Sequence, residues 1–158
     1  VKEPTENSKA KNSRLLIERF SQRIDGFNVR QQTLEDLYRL CAAIGVTVVE
    51  LPFRRLHGGA FEDRGEKYLY VNELLPCSER TMTGFHELTH ISDHVLEVEP
   101  FRSTGNLWNV SKFERQANII GALAWMPDPL IRGLSIEQIV TEFGVSKNVA
   151  EFRLSLKI

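Results

Sequence analysis

Apolar residues return at helical spacing over Leu15, Leu16, Phe20 and Ile24 and stop near Gly26. A polar arm over residues 1–13 followed by a short amphipathic helix is the expectation. Leu37, Leu40, Cys41 and Ile44 repeat the pattern up to Gly45. Thr33, with Asp36 three positions on, predicts a capped start, and Gly45 a natural stop. The period then changes from helix to strand. Residues 46–51 are rich in β-branched side chains and end at Pro52, and residues 56–62 and 66–72 flank the turn-forming Asp63, Arg64 and Gly65. Tyr68, Tyr70 and Asn72 alternate with Leu69 and Val71, so one face of this hairpin packs on helices and the other stays polar or lines a groove.

Beyond Pro76 the helical period resumes. Ser78 is a candidate N-cap for a helix over about residues 79–95, whose apolar stripe is Phe85, Leu88 and Ile91. Pro100 and Gly105 mark a loop over residues 96–110. A second long helix runs from Ser111 to the Met126-Pro127 stop, and the small Ala117, Gly121, Ala122 and Ala124 permit close approach of a neighbouring helix. After Pro127-Asp128-Pro129, residues 135–143 and 146–156 form two short helices joined at Gly144-Val145.

Composition narrows the setting. The 158 residues, 42% hydrophobic, suffice for one buried core, and the net charge of −1 offers no global field for nucleic acid. The two cysteines, Cys41 and Cys77, lie too far apart for a zinc knuckle. The polar N-terminal stretch carries no signal-peptide core, and with the cysteine usage this points to the cytoplasm. Cys41, on an apolar stripe, reads as a small buried hydrophobe.

The chemistry concentrates in His86-Glu87-Leu88-Thr89-His90. On a helix, residues four apart share a face, so both imidazoles can address one divalent metal. Glu87 falls beside His86, on an edge expected to be exposed, where a carboxylate can take a proton from an activated water. A catalytic zinc site needs three protein ligands. His94 continues the spacing but sits about 12 Å along a straight helix from His86, too far for bonds of about 2 Å to one ion. Glu114, at the start of the second long helix, can reach the His pair if the two helices pack antiparallel. Ser111 and Glu114 also form a capping box, and spacing alone leaves both readings open. Asn118, one turn later, is placed to accept the other ring N–H of a ligand histidine.

Leu69-Tyr70-Val71-Asn72, the motif Phe85 to His90, the segment Glu114 to Leu123 and its Met126-Pro127 ending together resemble the ImmA/IrrE metallopeptidases over roughly residues 33–156. The resemblance implies an α+β, zincin-like fold with a small mixed or antiparallel sheet on the motif helix and a helical C-terminal part. Residues 1–32 would be an arm and helix, 33–134 the metallopeptidase domain, and 135–158 a helical pair packed on it. It further implies His86, His90 and Glu114 as ligands of zinc, with manganese as the alternative, and Glu87 as catalytic base. Thr89 stands where the family commonly has glycine, which points to a difference in packing. Characterised members of that family cleave helix-turn-helix repressors in stress responses or mobile elements, so the implied partner is a repressor protein, not DNA or membrane.

An oxyanion donor could come from Tyr70 or His57, and spacing does not select between them. A substrate strand is expected on the edge of the 56–72 hairpin. Two rivals remain at this level: a DNA reader built on the helix-turn-helix-like residues 135–156, and a sensor module that keeps the metal without turnover. Glu137, Glu142 and Glu151 balance Lys147, Arg153 and Lys157 and leave the first without a basic face.

Overall fold

The computed structural model describes residues 6–93 and 112–156. Helix α1 (Glu6–Arg23) begins well before the expected Leu15. The run from Glu6 to Ser13 has no Gly or Pro and includes Glu, Ala and Lys, so nothing in it opposes a helix. Leu16, Ile17, Phe20 and Ile24 are buried. Helix α2 (Leu34–Ala43) starts as expected: Asp36 N donates to Thr33 Oγ1 at 3.2 Å, and Thr33 N donates to Asp36 Oδ2 at 2.9 Å. Arg30 grips the same carboxylate at 2.8 and 3.0 Å. Cys41 is fully buried, and burial pushes its thiol up to about 12, which leaves it inert.

Strands β1 (Val46–Leu51), β2 (Gly58–Asp63) and β3 (Glu66–Asn72) form a mixed sheet in the order β1-β3-β2. β3 pairs parallel with β1 and antiparallel with β2. Arg64 and Gly65 take φ of 51° and 85° in the two-residue turn, the left-handed pair that matches strand twist. Leu69 and Val71 on the central strand are fully buried. Asn72 ends that strand by tying down the crossover: its side chain donates to Phe53 O and Leu56 O, both at 2.8 Å, and accepts from Leu74 N at 3.0 Å. The hairpin's first strand therefore begins at Gly58 rather than residue 56.

Helix α3 (Cys77–Asp93) lies against this sheet and against α4 (Lys112–Trp125). Ser78 is not the cap of α3. It stands inside the helix and donates to Gly144 O at 3.2 Å. His94, Ser111 and the expected loop over residues 96–110 lie outside the described residues. The Pro127 break becomes a single turn, α5 (Asp128–Ile131), followed by α6 (Ile136–Phe143) and α7 (Lys147–Ser155), each with a serine cap. The core falls into two clusters. One joins α1, α2, the sheet and the inner faces of α3 and α4; the other joins the end of α4 to α5, α6 and α7, and Phe152 packs against both. Among the described residues no helix is long and apolar enough to cross a membrane.

Candidate metal centre

The centre is built on the seam between α3 and α4. The stripe Phe85, Leu88 and Ile91 is buried, as its spacing requires. His86, Glu87 and Thr89 are buried as well, at 3%, 5% and 0% exposure. Glu87 is therefore not on an exposed edge. Strand β2 crosses above it, close enough that a Cβ on Gly58 would sit 3.4 Å from Glu87 Cγ and only 2.5 Å from Thr83 Cγ2. Only glycine lets that strand lie over the motif helix. Thr89 meets its full burial by donating to Phe85 O at 2.8 Å, which satisfies the hydroxyl within its own helix.

Helix α4 runs antiparallel to α3, since its start meets His90 and its later turn meets Met82. A Cβ on Gly121 would lie 2.6 Å from Met82 O and 3.7 Å from His86 Cβ, so the two backbones touch here. Seven residues earlier on α4, Glu114 reaches across the seam. His86 Nε2 and His90 Nε2 are 3.2 Å apart, Glu114 Oε2 is 3.5 Å from the first, and Glu114 Oε1 is 3.3 Å from the second. His86, His90 and Glu114 can each aim one ligand atom such that all lie within 4.8 Å of one another. Bonds of about 2.0–2.1 Å to a tetrahedral ion set ligand atoms about 3.3–3.4 Å apart. The chemistry of the donors, two imidazoles and a carboxylate, fits a divalent metal such as zinc, and the separations approach that spacing with each imidazole facing a different Glu114 oxygen.

The electrostatics agree with a site for positive charge. For His86, burial pushes the pKa down, but the hydrogen bond to Glu114 and the charges of Glu87 and Glu114 outweigh it, and the net shift is upward. The hydrogen bonds from His86 and His90 hold the Glu114 carboxyl well below the usual range. Glu87 moves the other way. Burial, the largest influence, raises it, and the neighbouring imidazoles only partly offset this.

The remaining candidates separate. His57 lines the same cleft as His86, and its buried Nδ1 makes no hydrogen bond among the described residues. Tyr70 instead stacks on Phe61, with ring centroids 5.1 Å apart, and meets Phe53 edge-on. Asn118 is buried in the cleft, and its side-chain hydrogen bond to the His86 imidazole helps to raise it, while His86 Nδ1 has no hydrogen-bond partner among the described residues. Sequence reasoning overlooked Gly58 and the local role of Asn72. A glycine opening a strand that otherwise alternates was the available signal for the first.

In the C-terminal pair, Val149, Ala150 and Arg153 of α7 face inward, and Lys147 on the outside pairs with Glu151 at 3.7 Å. Among the described residues, both cations of α7 are thus paired with carboxylates.

Two comparisons bear on this geometry. The family model described as Peptidase M78, IrrE N-terminal-like domain, matches residues 41–155. The chain is also similar to "Uncharacterized immunity region protein 2" of Bacillus phage phi105, 28% identical over 101 residues. That match covers 63% of this chain and spans 64% of the relative's own length.

Proposed function

We propose, proceeding from the fact that this chain belongs to the Peptidase M78 family of IrrE N-terminal-like domains, that it is a zinc-dependent endopeptidase acting on a helix-turn-helix repressor. The observation that carries the reading is the convergence of His86, His90 and Glu114 beside the buried carboxylate of Glu87. His86 and His90 would hold the metal through Nε2, and Glu114 through its carboxylate. A divalent metal bound there supplies the charge that polarises a water and the scissile carbonyl.

Every other step falls to the chain itself. Glu87, made more basic by burial, accepts the proton of the attacking water and delivers it to the leaving amine nitrogen. His57, which lines the cleft together with His86, is the candidate donor to the developing oxyanion. The edge strand β2, which passes over Glu87, is the surface on which an extended substrate adds by main-chain hydrogen bonds. The name of the phage relative, an immunity region protein, supports a repressor from a mobile element as substrate.

The test combines metal analysis with incubation against a candidate repressor. Native protein is expected to bind one zinc or manganese ion and cleave. Glu87→Gln should keep the ion and lose activity by about 10²–10⁴-fold, the usual worth of a general base. Glu87→Gln cleavage at the native rate would sink the base assignment, and full metal content in Glu114→Ala would remove Glu114 from the ligand set.

A further inference from the structure

Beside the donor triad lies a cleft of about 170 Å³. Met82 and His86 of α3 form one wall, Gly121 and Ala122 of α4 a second, and Val145 and Val149 at the α6–α7 turn a third. His86 borders both the cleft and the metal centre, so a group seated in the cleft lies next to the reacting bond. A cavity of roughly 150 Å³ with apolar walls accepts a benzene molecule, so this one has room for a single side chain of leucine to phenylalanine size.

The third wall is held in place from both ends. Trp125 Nε1 donates to Phe143 O at 2.8 Å and Ser78 Oγ donates to Gly144 O at 3.2 Å, which fastens the end of α6 to α4 and α3. Gly144 turns the chain in the left-handed conformation, φ 63°. From α7, Arg153 Nε donates to Met126 O at 2.7 Å and its guanidinium pairs with Asp128, which Asn28 also holds at 2.8 Å. A wall clamped in this way keeps the cleft open before any ligand arrives.

We propose that the α6–α7 turn is the specificity wall of the enzyme: Val145 and Val149, facing Met82 and Ala122, select an apolar substrate side chain flanking the scissile bond. This inference rests on the peptidase reading. It also gives the C-terminal pair a task in substrate choice instead of DNA recognition.

A synthetic decapeptide library, randomised at every position and digested by the metal-loaded protein, reads the preference by mass spectrometry of the products. The native protein is expected to favour leucine, methionine or phenylalanine at one position beside the cut. Val149→Ala should shift that preference toward the bulkiest side chains and Ala122→Leu toward alanine and glycine, each by about 10–200-fold. The same preference in native and both variants would overturn the inference, as would a native preference for lysine or arginine drawn by Glu79, the carboxylate lining the cleft. A second arm uses metal-free Glu87→Gln protein with labelled methyl groups, titrated with acetyl-Ala-Leu-Ala-amide and acetyl-Ala-Ala-Ala-amide. The Val149 and Met82 methyl signals should move with the leucine peptide only. Shifts without cleavage by native protein would keep the pocket and reject the peptidase reading. Cleavage without shifts would do the reverse.

Discussion

The α3–α4 seam and the α6–α7 pair are both helix pairs closed by a few specific contacts, yet they differ in what they tolerate. At the seam, backbones meet at Gly121, and two imidazole nitrogens and the two oxygens of Glu114 converge, with separations of 3.2 Å between the nitrogens and 3.3 and 3.5 Å from each nitrogen to its own Glu114 oxygen. In the C-terminal pair, an apolar cluster of Ile139, Phe143, Val145, Val149 and Ala150 fills space, and one buried arginine orients it. Ligand geometry fails over tenths of an ångström, whereas an apolar wall can shift by about that much and still exclude water. The seam therefore fixes the geometry of the candidate centre, and the pair the shape of the cleft beside it.

The sharpest way to break that contrast is Gly121→Ala. The added methyl meets the Met82 carbonyl at 2.6 Å, and backbone cannot step aside as a flexible side chain can. Metal affinity should fall by tenfold or more, with about 1–3 kcal/mol of stability lost to overpacking, read by competitive chelator titration and urea unfolding. Gly59→Ala, where the new methyl meets nothing within 4 Å, is the matched control and should leave metal binding unchanged.

Arg153→Met should have an effect of a different kind, confined to stability. Losing the bond to Met126 O and the pairing with Asp128 is expected to cost about 1–3 kcal/mol, without change in metal stoichiometry. Loss of bound metal on that substitution would show that the two regions are not separable.

The smallest effect sharpens the comparison from outside both regions. Arg30, with the Thr33 backbone and hydroxyl adding to it, holds the Asp36 carboxyl well below its ordinary range. A depressed folded pKa stabilises the fold above the unfolded value, near 4, and that contribution fades as pH falls through the folded value. Native protein should therefore exceed Asp36→Asn in melting temperature at pH 7. The gap should narrow below about pH 4, while zinc content at pH 7 is the same in both.

Much of this was legible because it is local. The capping box at Thr33 and Asp36, the strand alternation around Leu69 and Val71, and the stops at Gly45 and Gly144 each depend on residues within one or two turns. The four-residue spacing of His86 and His90 put both rings on one face for the same reason. Glu114 was ambiguous because a capping carboxylate and a ligand carboxylate look alike in one dimension. The burial of Glu87 and the true place of Ser78 were hidden because strand β2 and the α6–α7 turn reach them from elsewhere in the chain.

From the sequence alone came the elements, the pair of histidines with their neighbouring glutamate, and a family resemblance broad enough to nominate a third donor. Only the tertiary structure decided that α4 lies antiparallel and close enough, through Gly121, to bring Glu114 within 3.5 Å of both imidazoles, and that a clamped turn walls a cleft beside them. The physical reason is range. Capping and periodicity act over about 5 Å along one helix, whereas a site shared by two helices depends on how closely their backbones approach, which packing sets and no spacing along the chain records.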